Sequence, residues 1–157
     1  MHRLIIRAIG KPVDSWITVG IEDYASRLKP YAKIEFVVLP EGHSGSARPD
    51  EHKTRTIEAA SLVKGLPVDS FVIALDEKGK NLGSSEFATK LETEASSGRP
   101  IVFMIGGSWG LDQSVRDRAD LVLSFGKQTL PHSLARIVLL EQLYRAETIM
   151  RKKEYHK

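Results

Sequence analysis

Two short apolar runs, each ending in a loop that contains glycine, constrain the fold of this chain most strongly. The runs span residues 101–105 and 121–125, and the loops that follow them span residues 106–110 and 126–132. Apolar runs of this length, bounded by turn-forming residues, predict buried β-strands. Because buried strands that end in such loops usually hold a ligand beyond their carboxyl ends, we expect the functional site at these two loops.

The rest of the chain alternates strand-like apolar runs with segments of helical periodicity. Strands are predicted over residues 3–9, 34–39 and 71–75. Helices are predicted from residue 14 or 15 to 28, from 50 to 64, from 84 or 85 to 95, from 113 to 119 and from 133 to 150. This alternation predicts an α/β fold with a mostly parallel sheet and helices on both faces, but it does not reveal the strand order.

The same patterns assign some side chains to the core or to the surface. In the first helix, Trp16 and Tyr24 fall on the apolar face and are expected in the core. Residues 40–50 are rich in turn formers and predict a loop in which His43 is a surface side chain. The 157 residues contain no internal repeat or linker, so we expect a single domain over residues 1–157.

The composition excludes several classes of protein. Apolar residues make up 41% of the chain and charged residues 27%, as in ordinary globular proteins. There is no cysteine, which excludes disulfides and thiolate metal sites; we expect a cytoplasmic protein without a metal. The N-terminal apolar run is interrupted by Arg7 and is too short to cross a membrane. Positive residues cluster in the tail at residues 151–157, which predicts either a solvated surface or a contact with RNA.

The glycine-containing loops do not match the common phosphate-binding motifs. The loop at residues 106–110 lacks the spacing of a dinucleotide-binding fingerprint, and the chain has no P-loop sequence. Ser108 and Ser133 lie outside any nucleophile elbow, which argues against a serine hydrolase. Two interpretations remain at this point: the loops bind a ligand in another way, or they are tight turns that serve packing alone.

Several polar side chains near these loops have more than one possible role. Asp76, at the end of a predicted strand, can accept hydrogen bonds from a ligand or cap the next turn. His132 can hold a phosphate, act as a base or cap the terminal helix. Glu141 and Arg145 are spaced for a structural ion pair on that helix. Because the helix is apolar around much of its circumference, we expect part of it to pack against a second copy of the chain.

Three motifs, in order along the chain, resemble those of a known family. The first is Phe103-Met104-Ile105-Gly106-Gly107, followed by Gly110-Leu111. The second is Leu123-Ser124-Phe125-Gly126-Lys127-Gln128-Thr129-Leu130-Pro131-His132, followed by Arg136. The third is LEQLYRA over residues 140–146, with Tyr155-His156 in the tail. Together they resemble the RlmH-type ribosomal RNA methyltransferases of the SPOUT superfamily over the whole chain.

The resemblance implies a fold and a cofactor. The expected fold is a single α/β domain with a C-terminal trefoil knot, and the expected cofactor is S-adenosylmethionine, held mainly by backbone groups of the two loops. The cofactor-binding residues that the resemblance implies are Leu75, Gly106, Gly107, Phe125, Gly126, Lys127, Gln128, Thr129 and Leu130.

The resemblance also implies a reaction. The family transfers a methyl group to N3 of a pseudouridine in the helix-69 loop of 23S rRNA, on the assembled ribosome and as a homodimer. Because N3–H must lose its proton, a general base is needed. His156 is the expected base or base-orienting group, and Tyr155 is expected to contact the nucleotide. Arg136 and Arg145 are expected to contact phosphate or carbonyl oxygens.

Three alternatives stay open from the sequence. They are another SPOUT-type RNA methyltransferase, a non-catalytic ribosome-associated binding protein, and an α/β nucleotide-binding protein of unrelated chemistry. The short chain and the absence of an appended RNA-binding domain argue against the first, since a small enzyme must depend on a preassembled substrate surface.

Overall fold

Strands and helices alternate strictly along the chain in the computed structural model, which describes residues 1–43 and 45–157. The elements are β1 (His2–Ile9), α1 (Ser15–Leu28), β2 (Ala32–Leu39), α2 (Glu51–Val63), β3 (Phe71–Asn81), α3 (Ser84–Ser96), β4 (Ile101–Ile105), α4 (Gln113–Arg118), β5 (Leu121–Ser124) and α5 (His132–Met150). Ser44, within the loop predicted at residues 40–50, lies outside the described residues.

The strands form one sheet in the order β2-β1-β4-β3-β5, and every pair is parallel. All five residues of the central strand β4 are buried, which explains why its sequence is apolar without alternation. The predicted α/β fold with a mostly parallel sheet is confirmed. The trefoil knot stays a prediction.

Helices cover both faces of the sheet, as the sequence predicts. On one face, Leu4, Ile6 and Phe103 pack in a cluster with residues of α1, α3 and α5. On the other face, Val102 and Met104 pack with residues of α2 and α4. Adjacent residues of β4 therefore point into two different apolar clusters, as the alternation of side chains along a strand requires.

The buried face of α1 differs from the predicted one. Ile17 is buried, whereas Trp16 is 61% exposed. A β-carbon on Gly20 would lie 2.8 Å from Cδ1 of Ile137, so α1 and α5 approach each other closely at this glycine. That contact turns the side of α1 that carries Ile17 and Gly20 inward. The prediction that Trp16 lies in the core is wrong, while Tyr24 is partly buried and packs against the core as predicted.

Two element boundaries differ from the predictions for identifiable reasons. β3 continues to Asn81 because it pairs again with β5 at Lys80, after a register shift beyond Leu75. The N-cap of α3 is Gly83 rather than a serine, and its backbone N–H donates to Oε2 of Glu86 at 2.8 Å. The other boundaries agree with the predictions to within one or two residues.

Arg7, which interrupts the apolar run of β1, has a structural role. Its guanidinium is buried and donates hydrogen bonds to the carbonyl oxygens of Ser61 (2.9 Å), Leu62 (2.9 Å) and Lys64 (2.8 Å). These carbonyls lie at the C-terminus of α2, where helical partners are missing and a cation is favourable. Arg7 thus fastens α2 to the sheet.

Replacing Arg7 with methionine should lower the free energy of unfolding by about 1–3 kcal/mol, because carbonyl groups at the end of α2 lose their donor. The matched control is Arg3→Met on the same strand, where Arg3 pairs with Glu35 at an exposed position. This control should change the free energy of unfolding by less than about 0.5 kcal/mol. Urea denaturation followed by circular dichroism measures both, and equal losses would contradict the assigned role.

Candidate active site

A cavity of about 360 Å³ lies beyond the carboxyl ends of β4 and β5, beside the part of β3 that extends past its pairing with β4. Its walls come mainly from residues 75–78 of β3, from the loop after β4, and from the segment between β5 and α5. Because all the strands are parallel, these three chain segments emerge at the same edge of the sheet. The two glycine-containing loops predicted to form a site therefore meet in one cavity.

The loop after β4 is a tight turn in which residues 106, 107 and 110 are glycine. The N–H of Gly110 donates to the carbonyl oxygen of Gly107 at 3.1 Å, and Gly110 has a φ of +77°. A β-carbon on Gly106 would lie 2.8 Å from the carbonyl oxygen of Gly110, so no larger residue fits there without moving the loop. Glycine at these positions keeps backbone groups, rather than side chains, at the cavity wall.

The loop after β5 is tied to the end of β3 by hydroxyl groups. The hydroxyl of Ser124 lies 3.1 Å from the carbonyl oxygen of Glu77 and 2.8 Å from that of Gly126. The hydroxyl of Thr129 donates to the carboxylate of Glu77 at 2.5 Å. These contacts hold the loop at the cavity, which residues 125, 126, 128–130 and 132 line.

Nearly all the residues expected to bind the cofactor line this cavity. They are Leu75, Gly106, Gly107, Phe125, Gly126, Gln128, Thr129 and Leu130. Lys127 is exposed and is not part of the lining. Their role in binding a cofactor stays a prediction, since the cavity shows only that they share one wall.

Asp76 lines the cavity, and both of its carboxylate oxygens have partners within the chain. One carboxylate oxygen accepts a hydrogen bond from the N–H of Lys78 at 2.8 Å, and the other forms an ion pair with Arg116 at 2.7 Å. Of the two roles open from the sequence, this geometry favours the structural one, although Asp76 lies within β3 and holds the strand backbone and α4 rather than a turn. Arg116 reaches Asp76 from α4, a contact that sequence reasoning missed because it depends on the packing of α4 beside β3.

Trp109 and Arg55 are two further lining residues that the sequence analysis did not select. The ring of Trp109 packs against that of His43, with centroids 5.7 Å apart. His43 is therefore partly buried, rather than the surface side chain that the sequence predicts. The position of Trp109 between two loop glycines was the only signal in the sequence for a role at this wall.

His132 lies at the first residue of α5 and lines the cavity. Burial lowers the pKa of its imidazole, and the nearby Arg136 guanidinium lowers this pKa further, while Glu41 opposes the shift. A lowered pKa keeps the ring neutral at neutral pH, so this side chain can accept a hydrogen bond inside the cavity.

The other candidate catalytic residues form a separate group at the far end of α5. Arg145 pairs with Glu141 at 2.5 Å, which confirms the predicted ion pair, and its guanidinium lies 4.8 Å from the ring centre of Tyr155. Nη1 of Arg145 lies 3.4 Å from Nδ1 of His156. Burial, together with the Tyr24 and Glu141 side chains, raises the pKa of Tyr155 to about 12, so the phenol stays protonated at neutral pH.

This group does not reach the cavity in the single chain. Ala135 lines the cavity, and Arg145 follows it by ten residues, which is about 15 Å along a helix. Arg136 is buried and donates to the carbonyl oxygens of Ile9 and Gly10 at 2.6 and 2.5 Å. Within the described residues, the structure brings nearly all the expected cofactor residues together, keeps Arg145, Tyr155 and His156 apart from them, and engages Arg136 with the backbone at the end of β1.

The titration of His132 tests this description of the cavity wall. By NMR, its imidazole should titrate below pH 6.5, and Glu41→Gln should lower the midpoint further because a favourable charge is removed. Because the folded-state pKa is lowered, His132 favours folding above pH 6.5, and this contribution is lost as pH falls from 6.5 through the folded-state pKa. His132→Gln should remove that pH dependence; an unshifted midpoint would contradict the burial.

Other groups commonly found at functional sites were sought in the part of the chain that the structure describes. No cluster of three or more His, Asp or Glu side chains there could hold a metal ion. None of the described helices has the length and apolarity needed to cross a membrane.

Comparison with known proteins identifies the family. The family model described as predicted SPOUT methyltransferase matches residues 2–156. A ribosomal RNA large subunit methyltransferase H from Carboxydothermus hydrogenoformans is 43% identical over 98% of this chain and 99% of its own length. The protein of the same name from Rubrobacter xylanophilus is 44% identical over 99% of each chain.

A solved structure supports the fold independently. The structure of a probable methylase family protein from Haemophilus influenzae Rd KW20 covers 99% of this chain and 71% of its own chain, with a TM-score of 0.55 and 16% identity. At this identity the likeness concerns the fold alone. The match to the family model over nearly the whole length, together with relatives above 40% identity, shows that the chain belongs to the SPOUT methyltransferase family.

Proposed function

We propose that this protein is an S-adenosylmethionine-dependent methyltransferase that acts on N3 of a pseudouridine in the helix-69 loop of 23S rRNA. It works as a cytoplasmic homodimer on the assembled ribosome. The family, and the names of relatives that match this chain from end to end, support a methyltransferase acting on large-subunit rRNA. The observation that carries the proposal is the cavity at the sheet edge, where the two glycine-containing loops meet.

The cavity suits a nucleoside-like methyl donor. Its volume of about 360 Å³ lies in the range of small-molecule sites. Leu123, Phe125 and Leu130 offer apolar contacts for a base, while the loop backbone offers N–H and carbonyl groups for its polar edge. The bound cofactor supplies the activated methyl group. We propose that the trefoil knot of the family holds these loops together.

The residues of the tail have the chemistry to bind and deprotonate the nucleotide. Tyr155 stays protonated at neutral pH, so it can stack or donate a hydrogen bond but does not serve as the base. Arg145 can only donate hydrogen bonds, so its contact with His156 orients the imidazole with Nδ1 as the acceptor. We propose that His156 is the base or base-orienting group. As the base, it takes the N3 proton on Nδ1 once the nucleotide has displaced Arg145 from that atom. The released Arg145 stabilises charge on the carbonyl oxygens of the nucleotide.

A second copy of the chain explains how the tail and the cavity cooperate. They lie at opposite ends of α5 in one chain, but in a twofold dimer the tail of one copy can complete the cavity of the other. The surface offers an apolar area for such a contact. Its exposed apolar side chains are Val13, Trp16, Val19, Phe36 and Val38. We propose that this surface is covered in the dimer, with Arg136 stabilising the fold beneath it.

Methyl transfer from labelled S-adenosylmethionine tests the function directly. We expect label on intact ribosomes that lack the modification, and none on free 23S rRNA, because the proposed substrate is the helix-69 loop on the assembled ribosome. Mapping of the label should identify N3 of a helix-69 pseudouridine. Label on free RNA or on tRNA would indicate another SPOUT-type methyltransferase, and cofactor binding without any transfer would indicate a non-catalytic ribosome-associated protein.

Removal of residues 155–157 separates the two halves of the proposed site. Methyl transfer should fall at least 100-fold, because Tyr155 and His156 are lost. The dissociation constant for S-adenosylmethionine, measured by calorimetry, should change less than threefold, since the cavity in each chain is intact. Lys157→Ala serves as the control and should keep full activity. Normal methyl transfer by the truncated protein would refute the assignment of the tail.

A further inference from the structure

The loop after β4 rests on a buried carboxyl group that the proposed mechanism does not use. Glu58, on α2, is only 3% exposed. A β-carbon on Gly107 would lie 3.0 and 3.1 Å from the two carboxyl oxygens of Glu58, so the carboxyl group sits directly against the loop backbone. The same carboxyl group accepts a hydrogen bond from the N–H of Gly42 at 3.1 Å. Glu58 therefore joins two loops to α2.

Burying this carboxyl group lowers the stability of the fold. Its Oε2 atom is buried, and no hydrogen-bond donor among residues 1–43 and 45–157 pairs with it. Burial raises the pKa of Glu58, whereas the N–H groups of Gly42 and Gly107 oppose the shift. Apolar residues of α2, such as Ala59 and Leu62, already fasten the helix to the sheet. A buried, incompletely paired carboxyl group beside a functional loop calls for an explanation other than stability.

We propose that Glu58 is a positioning residue that fixes the loop at residues 106–110 over the cavity through its contact with the backbone of Gly107. Its carboxylate lies against the backbone of Gly107 and accepts a hydrogen bond from the N–H of Gly42. Glu58 thus couples the loop to the segment that carries His43, and the ring of His43 packs on that of Trp109. The loop is thus preorganised before the cofactor arrives, which raises the affinity. This inference rests on the proposed binding of S-adenosylmethionine in the cavity.

The charge of Glu58 gives the proposal a distinctive pH dependence. The titratable groups that face it are Glu41 and His43; Glu41 raises the pKa of Glu58 and His43 lowers it. The charged carboxylate accepts from the N–H of Gly42 and lies against the backbone of Gly107, so cofactor affinity should fall as pH drops through the raised pKa. Glu58→Gln removes the negative charge at every pH, so its affinity should be low and should lack this component of the pH dependence.

The experiment compares the full-length protein with Glu58→Gln and with the matched control Glu94→Gln. Glu94, on α3, is also a buried glutamate, but it pairs with Lys90 of the same helix and with Arg99 beyond its end. Glu58→Gln should weaken binding of S-adenosylmethionine at least tenfold by calorimetry without lowering the urea midpoint. Glu94→Gln should lower the midpoint and change the affinity less than twofold. Unchanged affinity in Glu58→Gln, or a loss that merely follows lower stability, would overturn the proposal.

Hydrogen exchange at the Gly107 amide gives a second readout that needs no cofactor. Exchange should be at least tenfold faster in Glu58→Gln than in the original protein, and unchanged in Glu94→Gln. Equal protection of Gly107 in the Glu58→Gln protein would overturn the positioning role. If the original protein binds no S-adenosylmethionine, the proposed function fails, while the exchange at Gly107 still decides whether Glu58 holds the loop.

Discussion

The common direction of all the strands determines where this protein can bind a ligand. Every pair in the sheet is parallel, so the chain leaves β3, β4 and β5 at the same edge. Helices cover both faces, which leaves this edge as the place where backbone groups become accessible. The glycine-containing loop at residues 106–110 meets the loop after β5 there, and together they form the cavity. Hydroxyl groups of the segment after β5 and of the last residue of β5 bind β3.

Buried polar groups then fasten the helices and loops to that sheet. Arg7 binds the C-terminal carbonyls of α2, Arg136 binds the carbonyls at the end of β1, and Glu58 contacts the N–H of Gly42. Each charged side chain serves backbone groups that the sheet and helices leave unpaired, as buried polar groups require. We infer that this arrangement gives the cavity loops a fixed shape without side chains that would fill the cavity.

The sequence predicted the strands, the parallel sheet and the meeting of the two loops, because these follow from apolar runs and glycine positions. It did not predict contacts that depend on strand order or helix packing. Trp16 was misplaced because the close contact at Gly20 sets the orientation of α1. The pairing of Asp76 with Arg116 joins residues forty positions apart, and periodicity carries no information about such distant pairs. For the same reason, the distance between the cavity and the tail became clear only in three dimensions.

The central claim is that each site combines the cavity of one chain with the tail of a second chain. Complementation tests it most directly: Gly106→Val, which obstructs the loop, is mixed with a chain lacking residues 155–157 under conditions that exchange subunits. Each variant alone should be inactive. When equal amounts of the two variants exchange subunits, half of the dimers contain one copy of each variant. Each of these mixed dimers has one intact site out of two, so we expect about a quarter of the original methyl transfer. No recovery, despite demonstrated exchange, would contradict it.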